Sequence, residues 1–312
     1  MRLAIVIPCY NEQEVLPLTV ERLLKILDTM VGRNLVDAES FILCSNDGSK
    51  DATWETIASL NARDSRVKGI SLAHNRGHQF ALLAGLESVV NKCDAAISID
   101  ADLQDDPEAI IRMVEAFHQG NEIVYGVRSN RDTDSWFKRT TAHAFYRFQR
   151  RMGLETVYDH ADYRLLSARA LEMLCQYSEA NMFMRGIVPQ LGLKSAVVTY
   201  ERAARAAGES KYPLKRMMSF AIDGITSFSA RPMRMIFLTG LFLNILSIGV
   251  AIYVFISYFG HPTLQGWTSI MLSIWFLGSL ILMCIGIVGE YVGKIFLEVK
   301  HRPRYFISDK ID

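Results

Sequence analysis

Leu3-Ala-Ile-Val-Ile-Pro-Cys-Tyr-Asn-Glu12 carries the chain from a short apolar run straight into a polar turn. An apolar stretch this short, ended by Pro and Asn, reads as a buried strand (Leu3–Ile7). A helix follows over about Glu12–Thr29, where Val15, Leu16, Val20, Leu23, Leu24 and Leu27 recur on one helical face. The alternation then repeats. Phe41–Ser45 is a second strand, and Asp51–Ala62 is a helix with Asp or Ser at its cap. Val67–Leu72 is a third strand, and Asn75-Arg76-Gly77 leads into a helix over His78–Asn91. Ala95–Asp100 is a fourth strand, Pro107 opens a helix to about Gln119, and Ile123–Gly126 is a fifth strand. Strands and helices alternating at this spacing predict an α/β fold, a mostly parallel sheet with helices on both faces. Ligands of such sheets collect at the carboxyl ends of the strands.

Three polar clusters sit at those ends. Pro8-Cys9-Tyr10-Asn11-Glu12 follows the first strand, Asn46-Asp47-Gly48-Ser49 the second, and Asp100-Ala101-Asp102-Leu103-Gln104 the fourth. No GxGxxG and no GxxxxGK[ST] occurs, so neither a dinucleotide fingerprint nor a P-loop is present. Asp100 and Asp102, two residues apart on a turn after a strand, aim two carboxylates into one crevice. Such oxygen ligands suit Mg²⁺ or Mn²⁺ held mainly by substrate phosphates. An Asp-x-Asp by itself is most often a turn or a helix cap. This one is singled out by its place after an apolar strand, with two other polar loops converging.

Composition narrows the classes further. The 312 residues are 50% hydrophobic and 21% charged with 16 Phe, which excludes a disordered or collagen-like chain. Lys and Arg number 34 against 33 Asp and Glu, a formal charge of +1. There is no general excess of cations to displace counterions from a nucleic acid. Five cysteines without a CxxC pair fit reduced thiols in a cytosolic compartment. The run Leu3–Ile7 is too short for a signal peptide.

Charge is absent from one long stretch. No Asp, Glu, Lys or Arg occurs between Arg234 and Glu290, and Phe237–Tyr258 and Ile270–Gly289 are nearly continuous apolar segments. Each has about the ~20 residues that a helix needs to cross a bilayer core. Arg231 and Arg234 precede the pair, Lys294, Lys300, Arg302 and Arg304 follow it, and the connecting loop has no Lys or Arg. The positive-inside rule then puts both ends in the cytoplasm. The expected organisation is a cytosolic catalytic domain over 1–211, an amphipathic interfacial helix over 212–231, transmembrane helices over 235–259 and 269–292, and a cytosolic tail over 293–312. The location is a multi-pass position in the inner (cytoplasmic) membrane. Spans without ionisable residues make an anchor rather than a transporter. Gly240, Gly249, Gly278 and Gly286 would permit close helix packing, hence a homo-oligomer.

Taken together, Ile5-Val-Ile-Pro-Cys-Tyr-Asn-Glu12, Asn46-Asp-Gly-Ser-Lys-Asp51 and Asp100-Ala-Asp-Leu-Gln104 resemble the ordered motifs of family 2 glycosyltransferases with the GT-A fold. Asp100-Ala-Asp-Leu-Gln-Asp-Asp-Pro-Glu108 is especially similar to the dolichol-phosphate-mannose synthase branch. With two C-terminal spans and Gly289-Glu-Tyr-Val-Gly293, the whole chain resembles the bactoprenol glucosyltransferases of serotype-converting prophages. It departs from the pattern at Asn46, where a second Asp is frequent, and at Asp106, where a Pro commonly precedes Pro107.

The resemblance implies inverting transfer of one sugar to polyprenyl phosphate at the cytoplasmic face, making a lipid-linked sugar for O-antigen modification. UDP-glucose is the expected donor, with GDP-mannose, UDP-N-acetylglucosamine and modified arabinose donors as alternatives. It further implies that Pro8, Tyr10 and Glu12 line the base pocket and that Asp47 holds base or ribose. Asp100 would face the ribose and the metal region, Asp102 and Gln104 would bind the divalent ion, and Asp102 would serve the chemistry as well as binding. Arg128 and Lys211 lie in loops matching the family's, Tyr125-Gly-Val-Arg128 and Gly208-Glu-Ser-Lys-Tyr212, and join the nucleotide-sugar set. Asp162, in Asp162-Tyr-Arg-Leu-Leu166, is the candidate base or acceptor-orienting residue, with Asp159 its competitor. His74, His78, His143 and His160 show no metal-ligand spacing.

Charge supplies the acceptor side. Arg128–Arg151 and Glu201–Arg234 are both basic segments in a nearly neutral chain, suited to an anionic lipid phosphate. Arg131, Arg164, Arg202 and Arg205 are the acceptor candidates. A processive polysaccharide synthase of the same fold would carry Gln-x-x-Arg-Trp, and none of Trp54, Trp136, Trp267 or Trp275 follows an Arg. A non-catalytic membrane scaffold keeping the fold is the alternative from another class, against which the intact acidic loops argue.

Overall fold

The computed structural model describes residues 1–128, 160–179, 182–201 and 266–312, with helical positions at 233, 236, 238–240, 242, 245 and 249. The expectations placed on Arg131, Asp159, Arg202, Arg205, Lys211 and the interfacial helix over 212–231 lie outside the described residues, as does most of the span over 235–259.

The first half follows the expected alternation. It runs β1 (Leu3–Cys9), α1 (Leu16–Gly32), β2 (Phe41–Asn46), α2 (Thr53–Arg63), β3 (Val67–Leu72), α3 (His78–Val89), β4 (Ala95–Ser98), α4 (Ala109–His118) and β5 (Ile123–Arg128). Next come β6 (His160–Ser167), α5 (Ala168–Cys175), α6 (Met184–Gln190), β7 (Ser195–Tyr200), α7 (Trp267–Val299) and β8 (Ile307–Ile311). The strands form one sheet in the order β7-β5-β6-β4-β1-β2-β3-β8. Pairings β1–β2, β1–β4, β2–β3 and β5–β7 are parallel, whereas β6 runs antiparallel to β4 and β5, and β8 antiparallel to β3.

Both faces of the sheet are covered, which is why β1 is apolar and buried at every position. Leu3, Ile5, Ile7 and Cys9 point into a core with Leu16, Val20, Leu23 and Leu27 of α1, Ile57 of α2 and Ile110 and Met113 of α4. On the opposite face Gly85 of α3 lies so close to β1 that an added Cβ would come within 2.4 Å of the Val6 side chain. Only a residue without a side chain lets α3 approach this near. Because β1 has β2 on one side and β4 on the other, the chain leaves their carboxyl ends in opposite directions and opens a crevice there.

Three strands escaped the periodicity reading. In β6 the polar residues His160, Asp162 and Arg164 alternate with Tyr163 and Leu165, so a central strand looks like a surface one. β7 and β8 are sheet edges with exposed polar positions. The helix α7 runs to Val299, beyond the expected boundary at 292. Its segment Phe276–Val299 is long and apolar enough to cross a membrane, at ~1.5 Å per residue against a ~30 Å core. The chain groups into two compact units, the first made of Met1–Arg147, Glu155–Pro213 and Arg302–Asp312, the second of Phe148–Leu154 and Leu214–His301. The last residues are therefore not a loose tail; they return to the sheet as β8.

Candidate active site

The loops after β1 and β2 are laced together by polar groups. The Asn11 amide donates to Ser49 Oγ at 3.0 Å, the Lys50 amide to the Asn11 side-chain oxygen at 2.9 Å, and the Glu12 amide to Thr53 Oγ1 at 2.9 Å. Asn11 reaches this position with φ of 55°, a left-handed conformation that Asn tolerates better than most residues. The lacing delays α1 until Leu16, later than the periodicity suggested. Pro8 is buried within β1, whereas Tyr10 stands 40% exposed at the crevice and Glu12 is half-buried.

Asp47 is nearly buried, and both of its carboxylate oxygens are engaged. They accept the backbone N–H groups of Arg76 at 2.7 Å and Gly77 at 2.8 Å. Burial raises the Asp47 pKa against these bonds. The sequence expectation gave this side chain to base or ribose; in the structure it holds the loop after β3 against the loop after β2. Gly48 sits in the same joint with φ of +59°, and a Cβ there would come within 2.7 Å of the His74 carbonyl carbon.

The acidic turn after β4 keeps its expected place. Leu103 takes φ of 54°, and the Gln104 amide donates to the Asp102 carboxylate at 3.1 Å, folding the turn on itself. Burial pushes the Asp100 pKa up to about 6; His78 opposes the shift, and the carboxylates of Asp162, Asp105 and Asp102 add to it. So much negative charge in one crevice is a ready seat for a cation. Among the described residues no group of three or more His, Cys, Asp or Glu could by itself hold a metal ion.

Asp162 lies on β6 across the crevice. Its carboxylate accepts from Arg164 Nη2 at 2.5 Å, from Arg185 Nη2 and Nε at 3.2 and 3.3 Å, and from Gln79 Nε2 at 3.2 Å. His78 Nε2 stands 3.6 Å from Asp100 and 3.7 Å from Asp162, linking the two acids. Burial alone would raise the Asp162 pKa, but Arg185, His78 and Arg164 hold it well below the usual carboxylate range. A carboxylate so paired is a weak proton acceptor. Its arrangement suits orientation better than the base role.

Arg164, an acceptor candidate from the sequence, is only 1% exposed and is consumed by Asp162 and by the Met184 carbonyl at 3.2 Å. It serves as an internal prop. The cation that reaches outward is Arg185, whose side chain is 44% exposed. His78, read from the sequence as structural or pocket-lining, stands in the crevice; Arg185 and Gln79 were missed because no motif marks them, and only the fold brings them to Asp162.

A second buried cluster ties the acidic turn to the neighbouring strands. Asp105 accepts from the Tyr200 hydroxyl at 2.6 Å and from Arg128 Nη2 at 3.1 Å. Tyr163 donates to the Asp106 carbonyl at 3.0 Å and packs edge-on against Tyr200. Arg128, expected on the nucleotide sugar, is thus paired with protein. Arg128 and Tyr200 are register partners at the ends of β5 and β7.

A parallel-rich α/β sheet with an acidic turn at its switch point is the architecture of a nucleotide-sugar transferase. The chain matches the model for glycosyl transferase family 2 over residues 4–175 and that for the GtrB C-terminal hairpin over residues 231–295. It belongs to glycosyl transferase family 2 and has the GT-A fold. It is 52% identical to the uncharacterized glycosyltransferase YkoT of Bacillus subtilis (strain 168), covering 98% of this chain and 91% of that one. It is 37% identical to the bactoprenol glucosyl transferase of Shigella phage SfX, over 99% of this chain and 100% of that one. It is 35% identical to the prophage bactoprenol glucosyl transferase homolog of Escherichia coli (strain K12), over 99% of both.

Proposed function

We propose that the protein transfers one glucose from UDP-glucose to polyprenyl phosphate at the cytoplasmic face of the membrane, with inversion, giving a lipid-linked sugar for glycan modification. The full-length similarity to bactoprenol glucosyl transferases supports the acceptor and the sugar. The observation that carries the reading is the meeting of three elements at one crevice: the Asp47 joint, the Asp100–Gln104 turn, and Asp162 with its half-exposed partner Arg185.

In this reading Tyr10 stacks on the base, with Pro8 and Glu12 completing the base pocket. Asp102 and Gln104, with Asp100 beside them, would hold Mg²⁺ or Mn²⁺; burial, with the neighbouring carboxylates adding to it, lifts Asp100 to about 6, and a cation there would relieve that cost. A bound divalent ion would share the diphosphate charge as the sugar–phosphate bond breaks. The acceptor's phosphate oxygen forms a bond to the anomeric carbon while the bond to the nucleoside diphosphate breaks, so an α-linked donor yields a β-linked product. A phosphate monoester has a second pKa near ~6 and is already ionised, so no protein base is required. That agrees with an Asp162 already satisfied by two arginines. Arg185 would meet the acceptor phosphate, with the basic segments after β5 and β7, including Arg131, Arg202 and Arg205, steering the lipid headgroup.

The apolar segment Phe276–Val299 supports membrane anchoring, and the Lys and Arg residues flanking the charge-free stretch support a cytoplasmic catalytic unit. Gly278 and Gly286 lie on this helix, and residues without side chains there favour close packing against further helices and a homo-oligomer. The test is transfer of label from UDP-glucose to polyprenyl phosphate in membranes containing the protein, scored in the organic phase. Metal-dependent label that disappears in Asp102→Ala supports the reading. Label only with another nucleotide sugar corrects the donor, and no lipid product with any donor from folded protein overturns it in favour of a scaffold.

A further inference from the structure

The residues that follow the membrane helix end in β8, whose pairing with β3 covers an edge that would otherwise expose unpaired backbone groups. A strand from Ile307 to Ile311 would be enough for that. The chain before it makes a second set of contacts with a different target. Arg304 donates to Glu87 at 2.5 Å and to the Tyr177 carbonyl at 2.8 Å, and the Tyr305 hydroxyl donates to the other oxygen of the same Glu87 carboxylate. Both Arg304 and Glu87 are largely buried, at 19% and 22% exposure. The contacts converge on one carboxylate of α3.

With Arg304 anchored in this way, its carbonyl accepts Arg76 Nε at 2.7 Å. The neighbouring Phe306 carbonyl accepts the Ala73 amide at 2.9 Å. The loop over residues 73–77 is therefore held from outside at both ends. From inside, the same loop gives the Arg76 and Gly77 amides to Asp47. It then runs directly into α3, whose first residue, His78, faces Asp100 and Asp162. One loop thus carries a continuous path from Glu87 and Arg304, through Arg76, to Asp47. Apart from Tyr305, Ile307 and Ile311, which are half-buried, the tail is polar or exposed, and none of its residues is fully buried. Hydrophobic stabilisation is a poor account of it.

We propose that the C-terminal tail is a working part of the donor site, in which Arg304, Tyr305 and Glu87 are positioning residues that set the 73–77 loop for nucleotide-sugar binding. The inference rests on the nucleotide-sugar reading above. It assigns no contact between the tail and the substrate; the tail acts through Arg76 and Asp47.

The test uses the full chain in detergent or membranes and compares Arg304→Ala, Glu87→Gln, their combination, and Arg304→Lys. Equilibrium binding of UDP and of UDP-glucose with Mg²⁺ is measured beside KM for each substrate and the melting temperature. Each single variant should weaken nucleotide binding and raise the donor KM by about five- to tenfold, the effect of losing one charged hydrogen bond. The acceptor KM should stay unchanged, the combination should be no worse than either single change, and Arg304→Lys should recover most of the loss. Nucleotide binding equal to wild type in variants that have lost the Glu87 pair overturns the proposal. So does a loss shared equally by donor KM, acceptor KM and melting temperature, which is the signature of plain structural support. If the wild-type protein binds no nucleotide among UDP, GDP and their sugars, the functional reading fails first and the inference falls with it.

Discussion

Arg185 grips both oxygens of Asp162 through Nη2 and Nε, at 3.2 and 3.3 Å, although the two are 23 residues apart in sequence. With Arg164 on the same carboxylate from below, Asp162 keeps one cation buried and another facing the crevice.

Exchange of Asp162 for Asn tests what the carboxylate does. An orienting role predicts that the acceptor KM rises while the shape of the rate–pH profile above pH 6 stays as in wild type. Because the Asp162 pKa lies well below the usual carboxylate range, a true base would show an ascending limb at acid pH that the Asn variant loses. Both Asn and Ala leave the buried Arg164 charge uncompensated, at a cost of about 3–5 kcal/mol to the fold, and Asp162→Ala loses in addition the hydrogen bonds that the Asn amide oxygen can still accept. Thermal unfolding of the two variants side by side separates these effects.

Asp100 and Asp162 give opposite pH dependences to stability. The folded pKa of Asp100 is raised to about 6, so its contribution is present below its unfolded value of about 3.9 and is lost as pH rises through 6. The folded pKa of Asp162 is depressed, so its contribution is present above the unfolded value and is lost as pH falls through the lower folded one. Metal-free protein with Asp100→Asn should melt higher than wild type at pH 7.5 and not at pH 4. A melting temperature equally changed at both pH values would contradict this.

Gly48 is the joint between two loops of the site. Its φ of +59° and the 2.7 Å approach to His74 leave no room for a methyl group. Gly48→Ala should cost about 1–3 kcal/mol and weaken nucleotide binding, because the loop bearing the Asp47 anchors must shift. Calorimetry and nucleotide titration on the same sample check both; unaltered binding would show that the two loops move independently.

Much of the catalytic half is legible from local pattern. Leu3–Ile7, Phe41–Ser45 and Val67–Leu72 are apolar runs that only a doubly covered sheet can bury, and the polar loops after them are readable as its ligand-facing ends. β6 is not legible in this way. Its Asp162 and Arg164 pair with each other inside the protein, and a periodicity reading takes such residues for surface. The tail fails for the same reason in reverse: Ile307-Ser-Asp-Lys-Ile311 has too little apolar character to announce a strand, and its hydrogen bonds come from β3.

From its order of residues alone this protein carries an α/β sheet, an acidic turn at a strand end, and a stretch bare of charge that suits a membrane. Those features depend on neighbours a few positions apart, and spacing reports them directly. The tertiary structure decided what each polar group is free to do. It assigned Asp47 to backbone amides, Arg128 to Asp105 and Arg164 to Asp162, and it brought His78, Arg185 and the C-terminal tail to the crevice. A side chain's chemistry depends on the partners and burial it meets, and apart from the Arg164–Asp162 pair those partners lie 23 to 228 positions away, where only the folded sheet places them beside it.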